Sequence, residues 1–96
     1  MNLDELTFAN RQLADLLKSG VPLEGSLHQL CSTMSGGELR NKLDALMNDL
    51  TKGIPLEKAL DSSSLPDFYV KMIKVGVKSN NLPEVLTMLA DYYSRV

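Results

Sequence analysis

Leu6, Leu13, Leu16 and Leu17 share one helical stripe, with Ala9 one turn ahead of Leu13. Apolar steps of three and four predict an amphipathic helix from about Asp4 to Lys18, stopping at Gly20. Leu23, Leu27, Leu30, Cys31 and Met34 repeat that spacing in a second segment that starts at Pro22. Ser35-Gly36-Gly37-Glu38 then breaks the pattern. Serine with glutamate three residues on predicts a capping box that opens a third helix through Leu39, Leu43, Leu46, Met47 and Leu50. A short fourth helix spans Pro55 to about Leu60 and dissolves in Asp61-Ser62-Ser63-Ser64. Pro66 starts a fifth, with Phe68, Tyr69, Met72, Ile73 and Gly76 expected on its inner side, and Pro83 a sixth carrying Leu82, Val85, Leu86, Leu89, Ala90 and Tyr93. No segment alternates as a strand does. The pattern predicts an all-α fold: one compact bundle of six antiparallel helices joined by short Gly/Pro corners, over residues 1–96.

The corners themselves repeat. Gly20-Val21-Pro22-Leu23-Glu24-Gly25-Ser26-Leu27 returns 33 residues later as Gly53-Ile54-Pro55-Leu56-Glu57-Lys58-Ala59-Leu60, with five of the eight positions identical. Glycine just past a helix end takes the left-handed conformation cheaply, and proline suits the first turn of the helix that follows. Ser79-Asn80-Asn81 is a third corner, where asparagine tolerates that same conformation. The Leu82, Leu86, Leu89 spacing after it copies Leu23, Leu27, Leu30, so the third joint is a degenerate copy of the first two. A chain duplicated in this way is a scaffold first, which favours binding or assembly over catalysis.

Composition narrows the choice. Ten Lys and Arg against twelve Asp and Glu give a net charge of −2, and the scattered bases form no phosphate-reading stripe, so nucleic acid is a poor partner. The N-terminus lacks the basic start and apolar run of a signal peptide, and no stretch approaches the ~20 apolar residues of a membrane span. The single cysteine, Cys31, excludes an internal disulfide and suits a reducing compartment. With one His and one Cys a structural zinc site is out of reach, and no local run of carboxylates supplies a calcium loop. His28 lies off its helix's apolar stripe and should face solvent, whereas Cys31 lies on the stripe and should pack as a small hydrophobe. No catalytic set, cofactor or metal ligand is expected. Lys71, Lys74 and Lys78 follow helical spacing and predict a basic ridge that could meet an acidic partner surface. Of Tyr92 and Tyr93 only one can face inward, which leaves Tyr92 for a partner.

Three phrases carry a family resemblance. They are Arg11-Gln12-Leu13-Ala14-Asp15-Leu16-Leu17-Lys18-Ser19-Gly20-Val21-Pro22-Leu23, the second corner Gly53 to Leu60, and Met72-Ile73-Lys74-Val75-Gly76-Val77-Lys78-Ser79-Asn80-Asn81-Leu82 with Leu86, Leu89 and Ala90-Asp91-Tyr92-Tyr93 behind it. In order and spacing they resemble the cytoplasmic domain of the type II secretion F protein family, which includes the inner-membrane platform proteins of type II secretion and type IV pilus assembly. Two departures stand out. The family usually writes Gly-Glu-x-Ser-Gly in the third phrase, and here Val77 replaces the glutamate and Asn80 the last glycine. The family's aromatic before Arg-Gln usually lies one residue closer than Phe8.

The resemblance implies a non-enzymatic platform at the cytoplasmic face of the bacterial inner membrane, held there by spans outside this chain. Its implied partners are the assembly ATPase, other inner-membrane machinery proteins and, weakly, further copies of itself. No catalytic residues come with the family. Gly20, Pro22, Gly53, Pro55, Gly76 and Ser79 inherit corner-forming or close-packing roles. The alternative is a tetratricopeptide-like adaptor that binds a peptide or partner protein, since the 33-residue period is near that repeat's length.

Overall fold

Asn2 caps the first helix: its side-chain oxygen accepts from the backbone N–H groups of Asp4 (2.9 Å) and Glu5 (3.3 Å), satisfying donors that the helix leaves unpaired. In the computed structural model, which describes residues 2–96, six helices follow. They are α1 (Leu3–Lys18), α2 (Leu23–Thr33), α3 (Glu38–Thr51), α4 (Leu56–Ser62), α5 (Asp67–Lys78) and α6 (Leu82–Ser94). The described residues contain no strand.

The helices form a closed ring. Each packs on its neighbour in sequence, and the most extensive contact of all joins α6 back to α1. Arg11 and Asp91 (3.2 Å) and Lys18 and Thr87 (3.4 Å) bridge that seam at its solvent edge. Beneath it, Leu6, Ala9, Leu13 and Ala14 of α1 meet the interior together with Val85, Leu86, Leu89 and Ala90 of α6, all buried. A tetratricopeptide-like stack would hold its first and last helices apart, since each repeat touches only its neighbours. The ring therefore excludes the solenoid architecture that the repeat length alone suggests.

The three corners share one hydrogen-bond pattern. Val21, Ile54 and Asn81 donate their N–H groups to the carbonyls of Leu16 (3.1 Å), Asp49 (3.0 Å) and Gly76 (2.9 Å), each five residues back. Gly20, Gly53 and Asn80 donate to Leu17, Leu50 and Val77, each three back. This is the Schellman arrangement. It requires a left-handed residue, and φ is 92° at Gly20, 88° at Gly53 and 55° at Asn80. Burial repeats with it: Leu27, Leu60 and Leu86 are buried, and Leu23, Leu56 and Leu82 are half-buried. All six border the same apolar crevice, whose free space is only about 20 Å³. The repeated phrase thus aims three helix starts at one point of the core.

At Gly20 and Gly53 an added Cβ would meet no neighbouring atom within 4 Å, so only the backbone conformation opposes a side chain there. Gly20→Val or Gly53→Val should cost about 1–3 kcal/mol in urea melts. Gly20→Asn should cost markedly less, because Asn80 already holds that conformation in the third corner. Equal stability for the valine and asparagine variants would contradict the strained-corner account.

Four details differ from the sequence-based expectation. Pro22, Pro55 and Pro66 precede their helices as caps rather than occupying the first turn, and only Pro83 lies inside one. The capping box at Ser35 does not form: α3 is preceded by Gly37, with no side-chain cap. A box would need Gly36 and Gly37 to be helical, and glycine is the costliest residue for a helix interior after proline. The helix therefore starts two residues later, and the Glu38 carboxylate reaches forward to Lys42 (3.2 Å), whose charge and hydrogen bond hold it below the usual carboxylate range. Phe68 is not inside the bundle; it is 44% exposed. A polar residue is inside instead: Asn10 is fully buried and accepts a 2.7 Å hydrogen bond from the Tyr69 hydroxyl.

Candidate interaction surface

The groups that could support chemistry are dispersed or inert. Among the described residues no three His, Cys, Asp or Glu side chains converge as metal ligands. His28 is exposed, as its place off the stripe predicts. Cys31 is buried between α2 and α3, and burial, with help from Asp44, pushes its thiol up to about 11. It is a protonated core residue at neutral pH, not a nucleophile. Burial likewise raises the Tyr69 and Tyr93 hydroxyls above their ordinary range.

Exposed apolar side chains are the feature that folding does not use. Phe68 and Val75 stand on the outside of α5, Met88 and Tyr92 on the outside of α6. Tyr92 is 45% exposed while Tyr93 is buried, which follows from their adjacency on one helix. The rings of Phe68 and Tyr92 lie 5.1 Å apart in a tilted pair, and Tyr92 meets Tyr93 edge-on at 5.1 Å. Tyr69 and Tyr93 continue the cluster inward at 6.3 Å. Tyr92 is therefore braced from inside by Tyr93, and Phe68 packs in turn on Tyr92. Alongside Tyr92 a shallow groove of about 580 Å³ follows α6, bordered by Glu84, Met88, Asp91 and Arg95.

The basic ridge is smaller than the sequence spacing suggests. Lys74 is half-buried and tied to the Asp61 carboxylate at the end of α4, an ion pair that spacing along α5 cannot reveal. Lys71 and Lys78 remain exposed. The corner residues lie elsewhere and serve the fold. Pro22 and Pro55 precede α2 and α4. Ser79 follows α5, where its hydroxyl bonds the Val75 carbonyl (2.7 Å) and the Asn81 side chain. Gly76 lies within α5, and a Cβ there would sit 3.1 Å from Val85 and 3.2 Å from the Leu82 Cα. It is the close-packing point of α5 on α6.

A closed ring of short helices with an aromatic cluster at its surface defines a compact all-helical module. Its sequence places it further: residues 9–96 match the family described as type II secretion system (T2SS), protein F, and the chain belongs to that family. It is 33% identical over 90 residues to the type II secretion system protein F of Vibrio cholerae, covering 92% of this chain and 22% of the relative. It is 26% identical over 84 residues to the type IV pilus assembly protein PilC of Pseudomonas aeruginosa, covering 86% of this chain and 22% of that protein. Against the type II secretion system protein F of Aeromonas hydrophila the identity is 29% over 90 residues, 92% of this chain and 23% of the relative. The chain thus spans less than a quarter of these relatives' length. None of its described helices is long and apolar enough to cross a membrane.

Proposed function

We propose that this chain is a non-enzymatic assembly-platform domain of a secretion or pilus machine, carried at the cytoplasmic face of the inner membrane by a membrane-spanning protein. Its work is to hold the assembly ATPase and other machinery components by protein–protein contact. The observation that carries this reading is the exposed apolar surface of α6. Met88 and Tyr92 are large, exposed and flanked by Glu84 and Arg95, and an apolar centre with a charged rim is the usual anatomy of a protein interface. Tyrosine is among the residues most often found to dominate such contacts. Lys71 and Lys78 are available to a second partner.

The test is capture of the assembly ATPase of the same machine by the full-length membrane protein. Tyr92→Ser combined with Met88→Ser should weaken capture about tenfold or more, the usual consequence of removing an interface anchor. The melting temperature should fall only slightly, since both side chains are largely outside the core. Undiminished capture would remove the α6 surface from the proposal. Failure of the unaltered protein to capture the ATPase at all would remove the platform reading.

A further inference from the structure

With seven residues, α4 is the shortest helix of the ring, and isolated helices below about 12 residues are marginal in water. Its seams with α3 and α5 are also the two least extensive. Two grooves run along its α5 side, one of about 40 Å³ beside Glu57 and Val77, the other of about 180 Å³ beside Ser63 and Val70. Leu60 borders both grooves and the central crevice. The helix is thus loosely seated, although Ala59 and Leu60 themselves are buried. Its start is fixed by the backbone bonds of the Gly53–Ile54 corner. Its end is held instead by lysines from the two neighbouring helices. Lys42 of α3 donates to the Ser64 carbonyl (2.9 Å), and Lys74 of α5 pairs with Asp61. Both ammonium groups arrive on partly buried stems. Asp61 lies in the last turn of α4, where a negative charge opposes the helix dipole, so the carboxylate gains from Lys74 and not from its own helix.

We propose that α4 is a strap closed by these two lysine latches: residues 55–64 open and melt as one unit while the other five helices stay packed. What remains keeps its own seams, including the α1–α6 closure, the most extensive in the ring. Opening starts at the Ser62 end, where side-chain ties do the holding, and the backbone-bonded corner at Gly53 serves as the hinge. The apolar surface given up by α4 is small, one alanine and one leucine fully buried, so the step costs far less than unfolding the core. Once released, α4 lacks the length to stay helical and carries its acid at the wrong end. Leu43 and Leu46 of α3 and Ile73 of α5, which share the crevice with Leu56 and Leu60, then turn from core into the floor of an open apolar trough. The fold thereby contains a hidden and an exposed form of one surface, exchanged by breaking two polar ties. The inference goes beyond the platform reading and requires no partner.

Native-state hydrogen exchange at neutral pH, from zero to about 2 M urea, measures the opening directly. Corrected for intrinsic rates, the amides from Ala59 to Ser63 should share one opening constant, at least about tenfold larger than that of Leu13 and Leu89. Its urea dependence should be the shallower, because less surface is exposed. Lys42→Met with Lys74→Met keeps the stems and removes the latches, and should speed the α4 amides about threefold to tenfold. Val85→Ala thins the α5–α6 seam, where Val85 faces Gly76, and the open form keeps that seam. It should therefore speed the Leu13 and Leu89 amides about tenfold while the α4 amides stay within about twofold of the parent. Amides of α4 that follow Leu13 and Leu89, that scatter without a common constant, or that quicken equally with them in Val85→Ala would each overturn the strap. So would a double lysine variant whose α4 amides exchange as in the parent. ATPase capture plays no part in this readout, so the platform reading stands or falls separately.

Discussion

Truncating Leu89 to alanine should destabilise the protein by about 3–5 kcal/mol, the upper part of the range for removing a fully enclosed leucine. Leu89 has no exposed surface and belongs to the one continuous core. It sits on the face of α6 that buries Val85, Leu86 and Ala90 as well, the helix that closes the ring against α1. The cavity left behind cannot collapse easily, because α6 is held on two sides by α1 and α5. Domains of this size are typically stable by only about 5–15 kcal/mol, so the variant should approach the edge of folding at growth temperature. Met88→Ala, one residue away on the exposed side, is the matching control and should cost less than about 1 kcal/mol. Urea melts with unchanged slopes would measure both. A cost below about 1 kcal/mol for Leu89→Ala would mean that the α1–α6 seam is not a tightly packed closure.

Gly76→Val should produce the other large effect, a loss of about 3 kcal/mol. Glycine within a helix normally costs stability relative to alanine, by roughly 0.5–1 kcal/mol, so a substitution that merely improved helix propensity would stabilise. Here the missing Cβ would approach Val85 Cβ and Cγ2 at 3.1 Å and the Leu82 Cα at 3.2 Å. A backbone atom and a branched carbon beside the backbone cannot swing aside as a flexible tip could. The added side chain must therefore prise α5 from α6, and valine in a helix has little rotamer freedom with which to avoid the clash. Phe68 and Tyr92 pack across the same two helices, so fluorescence of their cluster should change along with stability. If Gly76→Val melted at or above the parent temperature, the close approach would have no energetic weight.

What the sequence revealed divides along physical lines. Helix number and order follow from local periodicity, and the bounds of α1 and α6 match that periodicity to within a residue or two. The corners were legible for the same reason: Gly20, Gly53 and Asn80 announce a backbone conformation that few residues tolerate. Phe68 was misplaced because it borders the apolar stripe of α5 only one position from Tyr69, and amphipathic patterns do not resolve their own edges. Asn10 was missed although its register, four after Leu6 and three before Leu13, falls on the buried stripe of α1; its polarity argued against burial until Tyr69 supplied a partner. The Lys74–Asp61 pair and the α1–α6 seam depend on contacts between helices, which no window along the chain contains. The candidate surface was half visible: adjacency alone put Tyr92 outside, but its pairing with Phe68 and the loss of Lys74 from the ridge needed the assembled bundle.

Closure of the ring by its first and last helices has a consequence for how the chain acquires its structure. The Arg11–Asp91 bridge spans 80 residues, nearly the whole chain, while the other helix contacts join sequence neighbours across short corners. Neighbouring helix pairs have only small loops to close and can form within microseconds, but the seam imposes a long-range contact that slows the final step. During synthesis the apolar stripe of α1 emerges first and waits for α6. Until some seventy further residues have been added, at roughly 5–20 residues per second, Leu6 and Leu13 have no permanent cover. Ribosome-bound chains truncated before Leu82 should therefore remain open to proteolysis, and protection should arrive abruptly with the last helix rather than accumulate corner by corner.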